Sequence, residues 1–142
     1  VSGYPEKHFE APNINSDIHF LKKKIECGAE YIVTQMFFDN QKYFDFVKLC
    51  RDNDINVPII PGLKPLSTAK HLNILPHRFH LNLPSELVNE VLRCKNRDEI
   101  REVGVEWAVQ QTKELISFGA PCVHYYTMGN TDNIIKIMSN FS

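Results

Sequence analysis

The chain alternates short apolar segments with longer segments of helical periodicity, and this order constrains its fold more than any other feature. The segments 31–33 (YIV) and 57–60 (VPII) are rich in β-branched residues, as strands are, and each polar segment between strands is long enough for a helical crossover. The strand–helix order occurs four times. We therefore predict an α/β fold with a parallel sheet covered by helices.

Capping residues, glycines and prolines predict where these elements begin and end. Ser16 or Asn15 caps the first helix, Ser67 caps a short helix that Pro76 ends, and Pro58 takes the first position of its strand because it cannot donate to a ladder. The predicted elements after a first strand at 1–4 are helix 17–27, strand 31–38, helix 41–53, strand 57–60, helices opening at 67 and 84, helix 97–118, strand 122–128 and helix 131–140.

Two architectures are compatible with four such units. A small doubly wound sheet binds its ligand at a topological switch point, commonly through a glycine-rich turn, and the chain contains neither G-x-G-x-x-G nor G-x-x-x-x-G-K-S/T. A (β/α)8 TIM barrel binds ligands beyond the carboxyl ends of its strands and takes about 250 residues, so four units are half of one. Polar residues follow all four strands, as this second architecture requires: Tyr4, Glu6 and His8; Thr34 and Gln35; Lys64 and Ser67; Tyr126, Thr127 and Asn130.

Composition excludes several classes of function. With 16 basic and 17 acidic side chains in 142 residues, the chain has no single-sign field for nucleic acid, and no apolar run approaches the roughly 18 residues of a membrane span. Four widely separated cysteines and the lack of a leader predict reduced thiols and a cytoplasmic protein. His77 and His80 lack a third ligand at suitable spacing, so no metal is predicted. Val1 already lies within a strand pattern, which indicates a piece of a longer chain.

Five motifs stand out along the chain: YPEKHFEA at 4–11, Asp17 with LKKK at 21–24 and CGA at 27–29, TQMFFD at 34–39, VPIIPG at 57–62, and HYYTM at 124–128. In order and spacing they resemble the methylenetetrahydrofolate reductase family. The resemblance extends from residue 3 to about residue 140 and implies a (β/α)8 TIM-barrel flavoprotein. Residues 1–142 are then a single region, the C-terminal half of that domain, which supplies about the last four βα units.

The resemblance implies that FAD lies against Tyr4, His8, Ala11, Asp17, Lys23 and Lys24. Lysine ammonium groups neutralise a pyrophosphate, and tyrosine and histidine offer flat faces and hydrogen-bond partners to the rest of a dinucleotide. Without the resemblance, the sequence favours a solvated helix face at residues 22–24 and an unliganded loop histidine at His8. Asp17 is then interpreted as an acid in the first turn of a helix.

The resemblance also implies three folate-binding residues: Gln35, His71 and Asn130. Gln35 matches a family glutamine, and a neutral amide donates and accepts toward a pterin without imposing charge; by sequence alone it reads equally as a buried amide that satisfies the backbone. His71 stands where bacterial members carry glutamine. Members often read YTLNR near the last strand, whereas this chain has YTMGN at 126–130, so Asn130 replaces an arginine-like contact.

The implied activity is FAD-dependent reduction of 5,10-methylenetetrahydrofolate to 5-methyltetrahydrofolate with NADH or NADPH, a reaction of one-carbon metabolism and methionine biosynthesis. The family's general-acid glutamate and its flavin-tuning aspartate belong to the first half of the barrel, so no residue of this chain is assigned as catalytic and the piece is expected to be inactive alone. One alternative is a noncatalytic half-barrel that binds ligands or assembles as a homo-oligomer. An aldolase-like barrel with a Schiff-base lysine ranks last, because it needs a lysine on an inward strand position and Lys64 falls just beyond a strand.

Overall fold

Alternating strands and helices form the whole chain in the computed structural model, which describes all residues from 1 to 142. The elements in order are β1 (Ser2–Gly3), α1 (Ile14–Glu26), β2 (Ile32–Thr34), α2 (Asn40–Asp52), β3 (Ile59–Ile60), β4 (Gly62–Leu63), α3 (His71–Phe79), α4 (Ser85–Arg93), α5 (Arg97–Phe118), β5 (His124–Tyr125) and α6 (Asp132–Met138). Strands β3 and β4 belong to one extended segment that Pro61 interrupts. The chain therefore consists of four strand–helix units, beginning at β1, β2, β3 and β5.

All paired strands are parallel, and neighbours in space are also neighbours along the chain. β1 pairs with β2 and β2 with β3, while β4 pairs with β5. A doubly wound sheet reverses its strand order at the switch point, and these strands show no such reversal. Because β–α–β crossovers are right-handed, a sequential order places the helices on one face of the strands. The fold is thus α/β with parallel strands and six helices, and its strand order is that of a barrel rather than of a doubly wound sheet.

The largest apolar core lies between the strands and these helices. Ile32, Ile59 and Leu63 contribute the strand side of this core, and every one of them is almost completely buried. The helix side comes from α1, α2 and α5 through Ile18, Leu21, Tyr43, Phe46, Cys50 and Leu115. A second cluster packs α3, α4 and the start of α5 over the loops that follow β2 and β4.

The opposite face of the strands is only partly covered. Ser2, Val33 and Ile60 lie side by side in one row across β1, β2 and β3. Ser2 is exposed, and Val33 and Ile60 are half-buried, whereas Ile32 and Ile59 in the adjacent row are buried. A parallel sheet that is covered on both faces buries its strands throughout. The residues of this chain therefore cover one face of the sheet and leave the other partly open.

Several predicted boundaries are wrong, each for a local reason. Helix α1 begins at Ile14, because Asn13 rather than Ser16 or Asn15 is its cap and accepts the Ser16 N–H at 3.0 Å. Helix α3 begins at His71 without a side-chain cap, so Ser67 does not cap it. Pro76 lies within α3 instead of ending it, since burial of Leu75 holds the last turn in place.

The strands are shorter than the predicted apolar runs. Pro58 precedes β3 rather than opening it, and the predicted strand at 57–60 continues to Leu63 after the break at Pro61. The run at 122–128 contributes only β5 to the ladder. Helix α5 has the predicted bounds and ends at Gly119, whose φ of 102° is the left-handed conformation that glycine adopts readily.

Candidate functional site

Thr34, at the end of β2, is hydrogen-bonded to the first residue of β4 and to the residue that follows β5. Its side chain is completely buried, and Oγ1 accepts the N–H of Gly62 at 2.9 Å. Its carbonyl accepts the hydroxyl of Tyr126, which follows β5, at 2.8 Å. A Cβ at Gly62 would lie 2.5 Å from the same carbonyl, so only glycine fits. Thr34 thus has a structural role, and the side chains that follow these strands are held at one end of the sheet.

A pocket of about 320 Å³, which we call the first-unit pocket, lies beside β1 and α1. Tyr4, His8, Asp17 and Lys24, four of the residues implied to bind FAD, line it. The backbone N–H of His8 donates to the Asp17 carboxylate at 2.5 Å, which fixes the turn after β1 to the first turn of α1. The rings of Tyr4 and His8 meet edge to face with centroids 4.5 Å apart. The pocket therefore combines a carboxylate, an ammonium group and four aromatic rings, because Phe20 and Phe46 also line it.

The remaining two residues implied to bind FAD lie outside this lining. Ala11 is half-buried in the turn after β1, where its N–H donates to the His8 carbonyl and its own carbonyl accepts Lys7 Nζ at 2.6 Å. Lys23 is exposed on α1, with its ammonium 5.9 Å from the centre of the Phe20 ring. Phe20 itself lines the first-unit pocket, so Lys23 stands at the border of the pocket and not within it.

A second pocket, which we call the third-unit pocket, lies between the carboxyl ends of β4 and β5 and has a volume of about 210 Å³. The implied folate contacts His71 and Asn130 both line it. Its other polar lining residues are Lys64, Ser67, Thr68, Arg97, Tyr126, Thr127 and Asn133. Burial lowers the pKa of His71, and the nearby charges of Lys64 and Arg97 lower it further. Ser67 N–H donates to His71 Nδ1 at 3.2 Å, so the neutral ring carries its proton on Nε2.

Lys64 is the most buried charged residue of the chain, at 7% exposed. Burial lowers the pKa of its ammonium, and no neighbouring charge raises it again. None of the three ion pairs in the molecule includes Lys64, and Nζ has no hydrogen-bond partner in the chain. No buried side-chain nitrogen is left unpaired, so Nζ is not sealed in the core, and the Lys64 side chain lines the third-unit pocket. Lys64 therefore brings an unpaired positive charge to this pocket.

Gln35 follows β2 and lines neither pocket. It is half-buried, its backbone N–H donates to the Gly3 carbonyl at 2.8 Å, and its side-chain Oε1 accepts the N–H of Met36 at 3.0 Å. The amide oxygen is thus used locally, as expected of a strand-end glutamine. The Nε2 hydrogens are the part of this side chain that stays available to a ligand.

Glu6 lies on the same end of the sheet, after β1. Burial raises the pKa of its carboxyl, although the N–H of Asn82, which donates to Oε1 at 3.1 Å, opposes this effect. Beside it Phe9, which is 56% exposed, stacks on His80 with ring centroids 4.6 Å apart.

No three His, Cys, Asp or Glu side chains are grouped in a way that suits a metal ion, and all four cysteines are free. None of the helices is both long and apolar enough to traverse a bilayer.

Comparison with known proteins identifies the family. The family model described as methylenetetrahydrofolate reductase matches residues 1–142. The chain belongs to the methylenetetrahydrofolate reductase family. It is 34% identical to methylenetetrahydrofolate reductase (NADH) 1 of Arabidopsis thaliana, covering 99% of this chain and 25% of that protein. A probable methylenetetrahydrofolate reductase (NADPH) of Caenorhabditis elegans is 30% identical, covering 98% and 21%.

Shorter relatives give a similar result. The 5,10-methylenetetrahydrofolate reductase of Buchnera aphidicola subsp. Schizaphis graminum is 33% identical over 99% of this chain and 49% of that protein. The fold also resembles a solved structure from Clostridium thermocellum, described as binding two copies of 5-methyl-5,6,7,8-tetrahydrofolic acid, with a TM-score of 0.59, 18% identity, and coverage of 96% and 50%. This chain thus spans about a quarter of the plant and nematode reductases and about half of these two proteins.

Two cations of the third-unit pocket, Lys64 and Arg97, are absent from the predicted binding residues. In the sequence, Lys64 is marked only by its position directly after a buried apolar strand. That position does not indicate a specific role for a lysine in a reductase. Arg97 is the first residue of α5 and reaches the pocket only because α3 and α4 fold back over the loop after β4. Nothing in the local sequence around Arg97 indicates that contact.

Proposed function

We propose that this chain is part of an FAD-dependent enzyme that reduces 5,10-methylenetetrahydrofolate to 5-methyltetrahydrofolate with NADH or NADPH as donor. Family membership over residues 1–142 supports the reaction, and the descriptions of the plant and nematode relatives support a nicotinamide donor. The observation that carries the proposal is the first-unit pocket, which unites Tyr4, His8, Asp17 and Lys24 beside the carboxyl end of β1. Barrel enzymes bind their ligands at that end of the strands.

The residues of the first-unit pocket suit a dinucleotide. Lys24 supplies a cation for a pyrophosphate, with Lys23 at the border of the pocket as a second one. Asp17 uses one carboxylate oxygen for His8 and keeps the other for a ribose hydroxyl. The rings of Tyr4 and His8 supply flat apolar surfaces, and Ala11 holds the turn that carries them. When bound, FAD supplies the hydride chemistry, while these residues bind and orient it.

Gln35, His71 and Asn130 are proposed to hold the folate. Gln35 offers the donors of Nε2 because its oxygen is already engaged by Met36. His71 offers its Nε2 proton because Nδ1 already accepts from Ser67. All three side chains are uncharged in these states, so they orient a substrate through directional hydrogen bonds. The proton and flavin-tuning chemistry then falls to residues outside this chain.

We further propose that residues 1–142 form one region that supplies about the last four βα units of a TIM barrel. The row Ser2, Val33 and Ile60 supports this, because it lies on a sheet face that this chain leaves partly open. Four preceding units would cover that row and contribute the acid that the reaction needs. The chain alone is then inactive as a reductase.

A noncatalytic module that assembles with copies of itself is the second candidate. β1 and β5 each pair on one side only, and unpaired parallel edges favour association into a homo-oligomer. Its ligands would still be small molecules, not nucleic acid or membrane. The free thiols of all four cysteines support a cytoplasmic location for either candidate.

Flavin spectroscopy tests these proposals. We expect the complete protein to bind flavin, whose visible absorbance NADH or NADPH bleaches and 5,10-methylenetetrahydrofolate restores. Lys24→Met should weaken flavin binding, whereas Lys113→Met, which changes an exposed lysine on α5, should not. Residues 1–142 alone should show no NADH-dependent turnover. A complete protein that binds no flavin contradicts the reductase proposal, and an oligomer without flavin in light scattering supports the assembly module.

A further inference from the structure

The third-unit pocket is lined by basic residues without any acidic one. Lys64, His71 and Arg97 line it, and its other polar groups are hydroxyls and amides. Asp98 and Asp132 each adjoin a lining residue along the chain, but both lie outside the lining, and Asp132 pairs with Arg101 at 3.7 Å. A positive group without a counter-charge raises the free energy of the folded chain, so its presence in a pocket indicates a ligand of opposite charge.

Three uncharged side chains of the pocket have their acceptor atoms engaged and their N–H donors unused. Asn130 Oδ1 accepts the N–H of Asp132 at 3.0 Å, which leaves its Nδ2 hydrogens unused. Asn133 Oδ1 accepts from Arg101 Nε at 3.2 Å, with the same result. His71 Nδ1 accepts from Ser67, so its Nε2 proton is unused as well. These three acceptor atoms are therefore engaged within the chain, and the N–H groups of Asn130, Asn133 and His71 are left for a ligand.

We propose that the third-unit pocket binds one anionic group, with Lys64 and Arg97 as its charge partners. This inference rests on the proposed function, within which the group is a carboxylate of the glutamate tail of the folate. The volume of about 210 Å³ is smaller than the roughly 300 Å³ at which pockets for whole drug-sized ligands begin, so a terminal group fits better than a ring system. A phosphate of the nicotinamide donor has the same charge chemistry and is the competing source.

The test compares two ligands of equal size on the complete protein. The first is 5-methyltetrahydrofolate, and the second is its diamide, in which both glutamate carboxylates are uncharged. The wild type should bind the folate on the order of ten- to hundredfold more tightly, which is the usual contribution of a hydrogen bond to a charged group. Lys64→Met should lose most of that preference and leave binding of the diamide unchanged.

Two further variants make the result independent of a single substitution. Arg97→Gln should also reduce the preference for the folate, because it removes the second charge from the lining. Lys70→Met removes an exposed lysine that does not line this pocket, and should change the preference by less than about twofold. Thermal unfolding of each variant, measured without ligand, verifies that the chain is folded.

Three outcomes would overturn the inference. If Lys64→Met weakens binding of NADPH or inorganic phosphate but not of the folate, the anion is a phosphate and not the glutamate carboxylate. A wild type that binds folate and diamide equally shows that the pocket holds no carboxylate, while the reductase proposal stands. A complete protein that binds neither ligand removes the proposed function and this inference with it.

Discussion

The first-unit and third-unit pockets lie at the same end of the sheet but differ in whether their charged side chains have partners within the chain. In the first-unit pocket the Asp17 carboxylate accepts the His8 N–H and shares the lining with Lys24, so the chain supplies both signs of charge. In the third-unit pocket Lys64 has no charge partner, and Nδ1 of His71 is already engaged by the Ser67 N–H. The first pocket is thus organised by its own hydrogen bonds, whereas the second is completed electrostatically only by a ligand.

Two glycines, one in the third unit and one in the first, differ in how closely the surrounding atoms approach. Gly104 of α5 lies directly against the segment that carries Lys64, and a Cβ there would be 1.9 Å from the Leu66 carbonyl oxygen. Gly28, which follows α1 in the first unit, has open space around its Cβ position. The segment that carries Lys64 is therefore packed closely against α5 at Gly104. The loop after α1 has no comparable contact at Gly28.

Among substitutions in the two regions, Gly104→Ala should have the largest effect. The added methyl cannot avoid the Leu66 backbone, so α5 must shift, and we expect the free energy of unfolding to fall by about 3 kcal/mol or more. Gly28→Ala is the control, because only its φ of 106° opposes a side chain, with an expected loss of about 1 kcal/mol. Urea unfolding measures both. Equal losses would contradict the difference in packing between Gly104 and Gly28.

Asp17→Ala should have the next largest effect, confined to the first-unit pocket. It removes the carboxylate that accepts the His8 N–H, and a hydrogen bond to a charged group contributes about 1.5–3 kcal/mol to stability. Amide hydrogen exchange should show faster exchange at His8, together with weaker flavin binding. Asp17→Asn keeps an acceptor oxygen and should lose less than half as much. Unchanged exchange at His8 in Asp17→Ala would mean that this turn is not held by Asp17.

The sequence predicts these two regions unequally well, for physical reasons. Helix α5 is predicted with its observed bounds, because Ile100, Val103 and Trp107 recur at helical spacing and Gly119 marks its end. The bounds of α3 are not predicted correctly. Local capping rules assign Ser67 as its cap and Pro76 as its end, and burial of Leu75 overrides them. Local rules weigh neighbouring residues only, whereas tertiary packing decides the ends of short helices.

The candidate sites follow the same division. Tyr4, His8, Asp17 and Lys24 fall within 21 consecutive residues of one motif-bearing unit, so their proximity in the first-unit pocket is foreseeable. Lys64 and Arg97 belong to the same strand–helix unit, but two helices separate them along the chain. Their meeting depends on how α3 and α4 fold over the loop after β4. Sequence periodicity carries no information about that arrangement.

Lys64→Met should have the smallest effect on stability, and it should raise the free energy of unfolding instead of lowering it. Methionine has a similar length and no charge, so it removes an unpaired ammonium from a largely buried side chain, and we expect unfolding at neutral pH to cost about 1 kcal/mol more than in the wild type. The pH dependence follows from the lowered pKa of Lys64. Between that pKa and the usual 10.5 the unfolded chain binds more protons than the folded one, so the stability of the wild type rises with pH across this range.

The advantage of Lys64→Met should therefore shrink as the pH approaches 10.5, the range in which the folded wild type has lost its buried charge. Lys70→Met, at an exposed lysine, should show no such convergence. Urea unfolding of the three proteins at neutral and alkaline pH measures it. If Lys64→Met is instead less stable than the wild type at neutral pH, Lys64 stabilises the fold itself, and its unpaired charge no longer distinguishes the third-unit pocket from the first.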